Sequence, residues 1–222
     1  MRIADTYQRL RSEIPAQVRI VPAAKTRSAQ EMLEVIEAGA TDLGHNYVQE
    51  AERARQALGS AADRVRWHMI GHLQTNKINK ALQVFDVIQT VDSLELGRAI
   101  DTRAARLGRI VPVYIEVNSA AEASKSGIAA DFGVLAALAR GLCELGHVRL
   151  EGLMTMGPLG ADECEVRAAF STTRQLFDRL RAIELPGASL NTLSMGMTDS
   201  YRIAIEEGAT MVRPGTIVFG PR

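Results

Sequence analysis

Ile205-Glu206-Glu207-Gly208-Ala209-Thr210-Met211-Val212-Arg213-Pro214-Gly215-Thr216 reads as a helix end, a glycine stop, a short apolar strand and a glycine-plus-hydroxyl turn. The same opening stands far upstream, where Ile36-Glu37-Ala38-Gly39-Ala40-Thr41 leads into another strand. Either a unit was duplicated or one good helix-to-strand connection was reached twice, since glycine takes the left-handed conformation past a helix end at little cost. Both origins point to αβ units stacked side by side. Working outward, apolar β-rich runs are predicted at Val18–Ala24, Thr41–Gly44, Arg66–Gly71, Val87–Val91, Val111–Val117, Leu150–Met154, Ser189–Leu193 and Thr210–Arg213, with helical patterns after each of the first seven. Such alternation calls for a parallel sheet, and 222 residues lie near the lower end of the roughly 200 to 400 of an eightfold barrel. The prediction is an α/β fold: a single (β/α)8 TIM-type barrel over residues 1–222, with an extra N-terminal helix from Ile3 to Ile14 covering its bottom. Pro22 removes a ladder N–H from the first strand, so a bulge or early strand end is expected there.

Composition narrows the function. The chain has 26 Lys+Arg against 26 Asp+Glu, a formal net charge of zero, which supplies no overall field to hold nucleic acid or an acidic membrane surface. A small, locally recognised ligand is the expected partner. Cys143 and Cys164 lie in helical patterns without metal-ligand spacing and read as reduced thiols. The N-terminus lacks an apolar signal region and no long apolar run follows, so a cytoplasmic location is expected.

Parallel barrels carry their reactive groups on the loops after the strands. Here those loops begin with Lys25-Thr26, His45-Asn46-Tyr47, His72-Leu73-Gln74, Asp92, Asn118, Thr155, Ser194-Met195-Gly196-Met197 and Arg213-Pro214-Gly215-Thr216. Leu193–Asp199 leaves a strand and meets a helical pattern at Tyr201–Glu207: a hydroxyl from Ser194, open backbone at Gly196 and a helix N-terminus would suit a phosphate, as would the second turn at Gly215-Thr216. Two ordinary glycine turns beside a helix cap would leave the same pattern. Lys25 at a strand end is either a nucleophilic amine capable of a Schiff base or a lysine snorkelling to water. Arg213 places a permanent cation near the turns, or forms a structural ion pair. Together a lysine, two phosphate turns and a cation are what pyridoxal 5′-phosphate requires of a protein. An arginine facing its pyridine nitrogen keeps its own proton and leaves the ring a weaker electron sink than an aspartate would. His45, His68 and His72 read first as packing residues, and Ser124-Lys125-Ser126-Gly127-Ile128 as a generic loop near the same face.

The blocks Ala24-Lys25-Thr26, Gly44–Glu50, Trp67–Lys77, Ser124–Ile128, Gly152–Met154, Leu193–Met197 and Met211–Gly220 together resemble the pyridoxal phosphate homeostasis proteins, single-domain barrels related to the N-terminal domain of alanine racemase. The resemblance implies pyridoxal 5′-phosphate carried as an aldimine on Lys25. Its phosphate would be held by Ser194, Gly196 and the Gly215-Thr216 turn, its pyridine nitrogen would face Arg213, Asn46 would reach it, and Met197 would also belong to the cofactor site. It also implies carriage of the cofactor and regulation of its intracellular level without established catalysis, with transient contact to apo enzymes that use it; no unpaired partner element stands out in the pattern, so a monomer is expected. His45, His72 and Thr75 depart from the family's usual Glu, Pro and Ser, and none of these is a cofactor anchor. Two rivals remain. One is a low-activity alanine-racemase-like enzyme, for which the second base would have to come from this chain's own Tyr47, Tyr114 or Tyr201. The other is a phosphosugar-binding barrel without pyridoxal 5′-phosphate.

Overall fold

A computed structural model describes residues 2–120, 126–158 and 160–221. Its strands are β1 (Arg19–Ile20), β2 (Asp42–His45), β3 (Arg66–Met69), β4 (Val87–Val91), β5 (Val111–Asn118), β6 (Ile128–Ala129), β7 (Val148–Met154), β8 (Thr192–Ser194) and β9 (Met211–Val212). The helices are α1 (Ile3–Glu13), α2 (Ala29–Glu37), α3 (Val48–Leu58), α4 (Ile78–Val84), α5 (Leu94–Arg106), α6 (Phe132–Cys143), α7 (Glu163–Arg181), α8 (Tyr201–Glu206) and α9 (Thr216–Phe219). All ladders are parallel, in the order β1-β9-β8-β7-β5-β4-β3-β2, with β6 a short addition beside β5. The ring is completed by a bridge between Ala23 and Gly44. This is the (β/α)8 barrel that the sequence predicts, with α1 as the additional helix.

Pro22 explains why the closure is only a bridge. Arg19, Val21 and Ala23 donate their N–H groups to the β9 side, reaching Thr210, Val212 and Pro214 carbonyls. The alternate residues must serve β2, where Ala24 donates to the Gly44 carbonyl at 2.8 Å and Pro22 has no proton to offer. The expected early strand end therefore appears: β1 stops at Ile20, well short of Ala24.

The main core lies between barrel wall and helices, where Leu43, Trp67, Ile88, Val113, Leu153 and Leu193 meet the apolar faces of the helices. Local chemistry sets the helix starts. Capping boxes at Ser28/Glu31 and Asp162/Glu165 satisfy otherwise orphaned N–H groups, each cap stabilising by about 1 kcal/mol. A second apolar group, Val21, Val87, Tyr114, Met154 and Met211, fills the inside of the barrel. Beside it the interior is polar, with Asp42, His68, Gln89, Ser194 and Arg213 all buried.

Candidate functional site

Strand ends on the β1–β8–β9 side build a cradle around a cavity of about 170 Å³ whose lining includes Lys25, Met197, Thr198, Arg213, Gly215 and Thr216. Thr198 braces it. Its Oγ accepts from the Gly215 N–H at 3.1 Å and the Ile217 N–H at 3.3 Å, and the Thr216 hydroxyl lies 3.1 Å away. Gly196 is required by the fold: its φ is +91°, and a Cβ there would stand 2.5 Å from the Ala204 Cβ. Its carbonyl accepts from the Arg213 N–H at 2.9 Å, tying the two turns together. The loop after β1 turns at Thr26, a non-glycine residue with φ +64°, whose N–H reaches Glu50 Oε2. Arg27, also on the cavity wall, is engaged with Glu31 and with the Gly220 carbonyl. The predicted helix contribution is slight, because α8 has six residues and Ser200 makes no side-chain cap bond.

Arg213 is buried, and burial pushes its pKa down to about 10 while Glu116 pulls it up, so it stays cationic at neutral pH. Its Nη1 donates to Ser194 Oγ at 2.6 Å and its Nη2 to the Thr155 carbonyl at 2.8 Å. Ser194 takes a different place from the one expected. Its hydroxyl donates to Gln89 Oε1 at 2.7 Å, it is fully buried, and it stands behind Arg213 rather than on the cavity wall. The last residue of a short strand can point into the barrel or out toward the helices, and Ser194, which ends β8, points in.

A second cavity, about 260 Å³, lies on the β2–β5 side and is lined by Asn46, His72, Glu116, Asn118, Ser126 and Thr155 among others. Asn46 thus sits across the mouth from the cradle, held by Gly71, where a Cβ would stand 2.5 Å from the Asn46 carbonyl. Glu116 is buried; its Oε1 accepts weakly from Ser126 Oγ at 3.4 Å, and its Oε2 has no hydrogen-bond partner among the described residues. Burial first, then Asp92, pushes its pKa up to about 7.

The histidines divide by place. His68 is inside the barrel, hydrogen-bonded to Asp42. His45 points to the helix side, stacked on Trp67 at 5.5 Å between ring centres, and burial lowers its pKa to about 4. His72 is exposed at the second cavity. Of the Ser124–Ile128 loop, Ser124 and Lys125 lie outside the described residues.

Sequence reasoning missed Gln89 and Glu116, and took in Thr198 only as part of the run Leu193–Asp199. A signal was present for the first two. Gln89 interrupts the apolar start of Val87-Ile88-Gln89-Thr90-Val91, and in Tyr114-Ile115-Glu116-Val117-Asn118 the polar groups stand at alternate positions that face one side.

A family model described as alanine racemase, N-terminal domain, matches residues 1–222. The pyridoxal phosphate homeostasis protein of Pasteurella multocida is 35% identical over 205 residues, covering 92% of this chain and 87% of that protein. PipY of Synechococcus elongatus, solved with PLP bound, superposes with a TM-score of 0.88 at 34% identity, covering 98% of this chain and 100% of its own. Alanine racemase of Clostridium difficile superposes at 0.82 with 16% identity over all of this chain and 57% of its own, a likeness of fold alone.

Proposed function

The chain belongs to the pyridoxal phosphate homeostasis protein family, on the barrel of the alanine racemase N-terminal domain, and we propose that it binds pyridoxal 5′-phosphate, carries it on Lys25 and regulates its intracellular level. The observation that carries this reading is the cradle: one amine, one buried cation and a hydroxyl-braced glycine turn share a single cavity. That donor set fits the group. Lys25 would take its aldehyde; Met197, Thr198, Gly215 and Thr216 would surround its phosphate; Arg213 would face its ring nitrogen; and Asn46 would stand on the far side. Gly196 would serve by shaping the turn, and Ser194 by orienting Arg213 rather than by touching phosphate.

When bound, pyridoxal 5′-phosphate supplies an aldehyde for covalent attachment and a ring that withdraws electrons. This chain's residues favour the first use. Arg213 holds its proton, so it donates to the ring nitrogen without protonating it. None of the four tyrosines lines either cavity: Tyr201 reaches Glu13, Tyr114 is buried inside the barrel and Tyr47 is exposed. Carriage is therefore favoured over turnover, by a cytoplasmic monomer that meets apo enzymes transiently. Among the described residues no helix is long and apolar enough to cross a membrane.

Glu116 favours a second reading, slow amino-acid racemisation, since a carboxyl with a pKa of about 7 beside a cavity suits proton transfer. Solvent-deuterium exchange into alanine, lost in Glu116→Gln, would establish it. The primary test is an absorbance spectrum with added pyridoxal 5′-phosphate, then borohydride reduction and peptide mapping. The expected label is on Lys25. Scattered label or none, with phosphate esters still bound, overturns the reading in favour of a phosphosugar barrel.

A further inference from the structure

The polar residues inside the barrel form one continuous line. Arg213 Nη1 contacts Ser194 Oγ at 2.6 Å, Ser194 Oγ contacts Gln89 Oε1 at 2.7 Å, Gln89 Nε2 stands 2.9 Å from His68 Nδ1, and His68 Nε2 stands 2.7 Å from Asp42 Oδ1. Asp42 sits at the start of β2, the opposite end of the barrel from the cradle, where it pairs with Arg19 and accepts from the Thr41 hydroxyl at 2.8 Å. All five residues from Asp42 to Arg213 are buried.

Such a line has a direction, and elementary bonding rules set it from the Asp42 end. Burial works against charge on Asp42, but His68, Arg19 and Thr41 outweigh it and hold the carboxyl below its usual range, so it only accepts. His68 must then carry its proton on Nε2. Burial lowers the His68 pKa despite Asp42, leaving the ring neutral and Nδ1 an acceptor. Gln89 must turn its NH₂ toward Nδ1, which presents Oε1 to Ser194. Ser194 then spends its one proton on Gln89 and offers Arg213 a lone pair. With the opposite order, a hydroxyl proton would face the guanidinium.

We propose that Gln89 is a positioning residue for the cofactor site: with Asp42, His68 and Ser194 it forms a one-way hydrogen-bond relay that fixes the Arg213 guanidinium against the cofactor ring. The consequence for the site rests on the pyridoxal 5′-phosphate reading above; the relay itself does not. Its span explains why Ser194 lies behind the cradle, and why a glutamine occupies an otherwise apolar strand interior. Of the neutral side chains, an amide has one end that only donates and one that only accepts, which is what a change of partner type along a chain demands.

The test has two readouts. In ¹⁵N-histidine NMR of the wild-type protein, His68 should show a protonated Nε2 and an accepting Nδ1, with or without pyridoxal 5′-phosphate. In Gln89→Met, which keeps length and apolar contacts, the absorbance band of the bound cofactor should shift and its affinity should fall roughly tenfold. Ser194→Ala should behave alike, and the double variant should be no worse than either alone. Asp42→Asn should shift the band in the same direction by less; if it fails to fold, Gln89→Met still decides. A proton on Nδ1 of His68, additive losses in the double variant, or a lowered melting temperature with an unmoved band would each overturn the relay. Failure of the wild-type protein to take up pyridoxal 5′-phosphate would sink the functional reading instead, leaving the histidine spectrum to judge the relay.

Discussion

On the β1–β8–β9 side of the barrel mouth, the cradle's polar groups brace one another: Thr198 accepts two backbone N–H groups, and Arg213 divides its donors between Ser194 and Thr155. On the β2–β5 side, Glu116 leaves one carboxylate oxygen without a hydrogen-bond partner among the described residues, and its pKa rises to about 7. The two cavities are neighbours, since Arg213 lines one and bonds to Thr155 on the wall of the other. The difference teaches that preorganisation here is selective. Groups that would meet a fixed phosphate and ring are held in place before anything binds, which lowers the ordering cost of binding. On the facing side the Glu116 carboxyl is buried with only a weak contact to Ser126 among the described residues, and the fold bears that cost.

The largest expected effect strikes the cradle. Lys25→Ala should abolish the borohydride-stable label entirely, while phosphate contacts preserve reversible binding at roughly a hundredfold weaker affinity, about 2.7 kcal/mol. Ser194→Ala should keep the label; equal loss in both variants would erase the distinction between a residue that touches the cofactor and one that orients Arg213.

Next comes the frame of the cradle. Gly196→Ala puts a methyl group into the left-handed region against Ala204 and the Tyr201 Cα, so unfolding free energy should fall by about 2 to 4 kcal/mol in denaturant titration. An unchanged midpoint would show that the turn gives way easily and that the cradle is not rigid.

The effect on the facing side depends on pH and is absent in acid. Glu116 titrates near 4.5 when unfolded and at about 7 when folded, so the native state binds more protons between those values and stability declines as pH rises through them. Glu116→Gln removes that decline. The two proteins should match below about pH 4.5, diverge up to pH 7 and differ above it by up to about 3 kcal/mol in favour of the variant. Parallel curves would mean that the carboxyl finds a partner and that the two sides are built alike.

Much of this was legible from local chemistry. The glycine stops, the strand-helix rhythm and the capping residues are neighbours in the chain, so periodicity and turn preferences reveal them. Lys25, Arg213, Gly215 and Thr216 could be placed at the mouth because each lies in the loop after a predicted strand, and Pro22 announced its own lost ladder bond. The sequence could not show that the Ser194 side chain turns inward to Gln89 and Arg213, a matter settled by how β8 sits between β7 and β9.

The chain by itself determined the kind of barrel and which residues stand at its mouth, since both depend on interactions within a few residues. Only tertiary structure decided that Asp42, His68, Gln89, Ser194 and Arg213 form one line, and that Glu116 is buried beside Asp92 rather than solvated. The line joins β2, β3, β4, β8 and the end of β9, strands far apart in sequence. Hydrogen-bond direction and pKa arise from groups meeting across the closed barrel with water excluded, and a linear pattern holds neither the closure nor the dielectric.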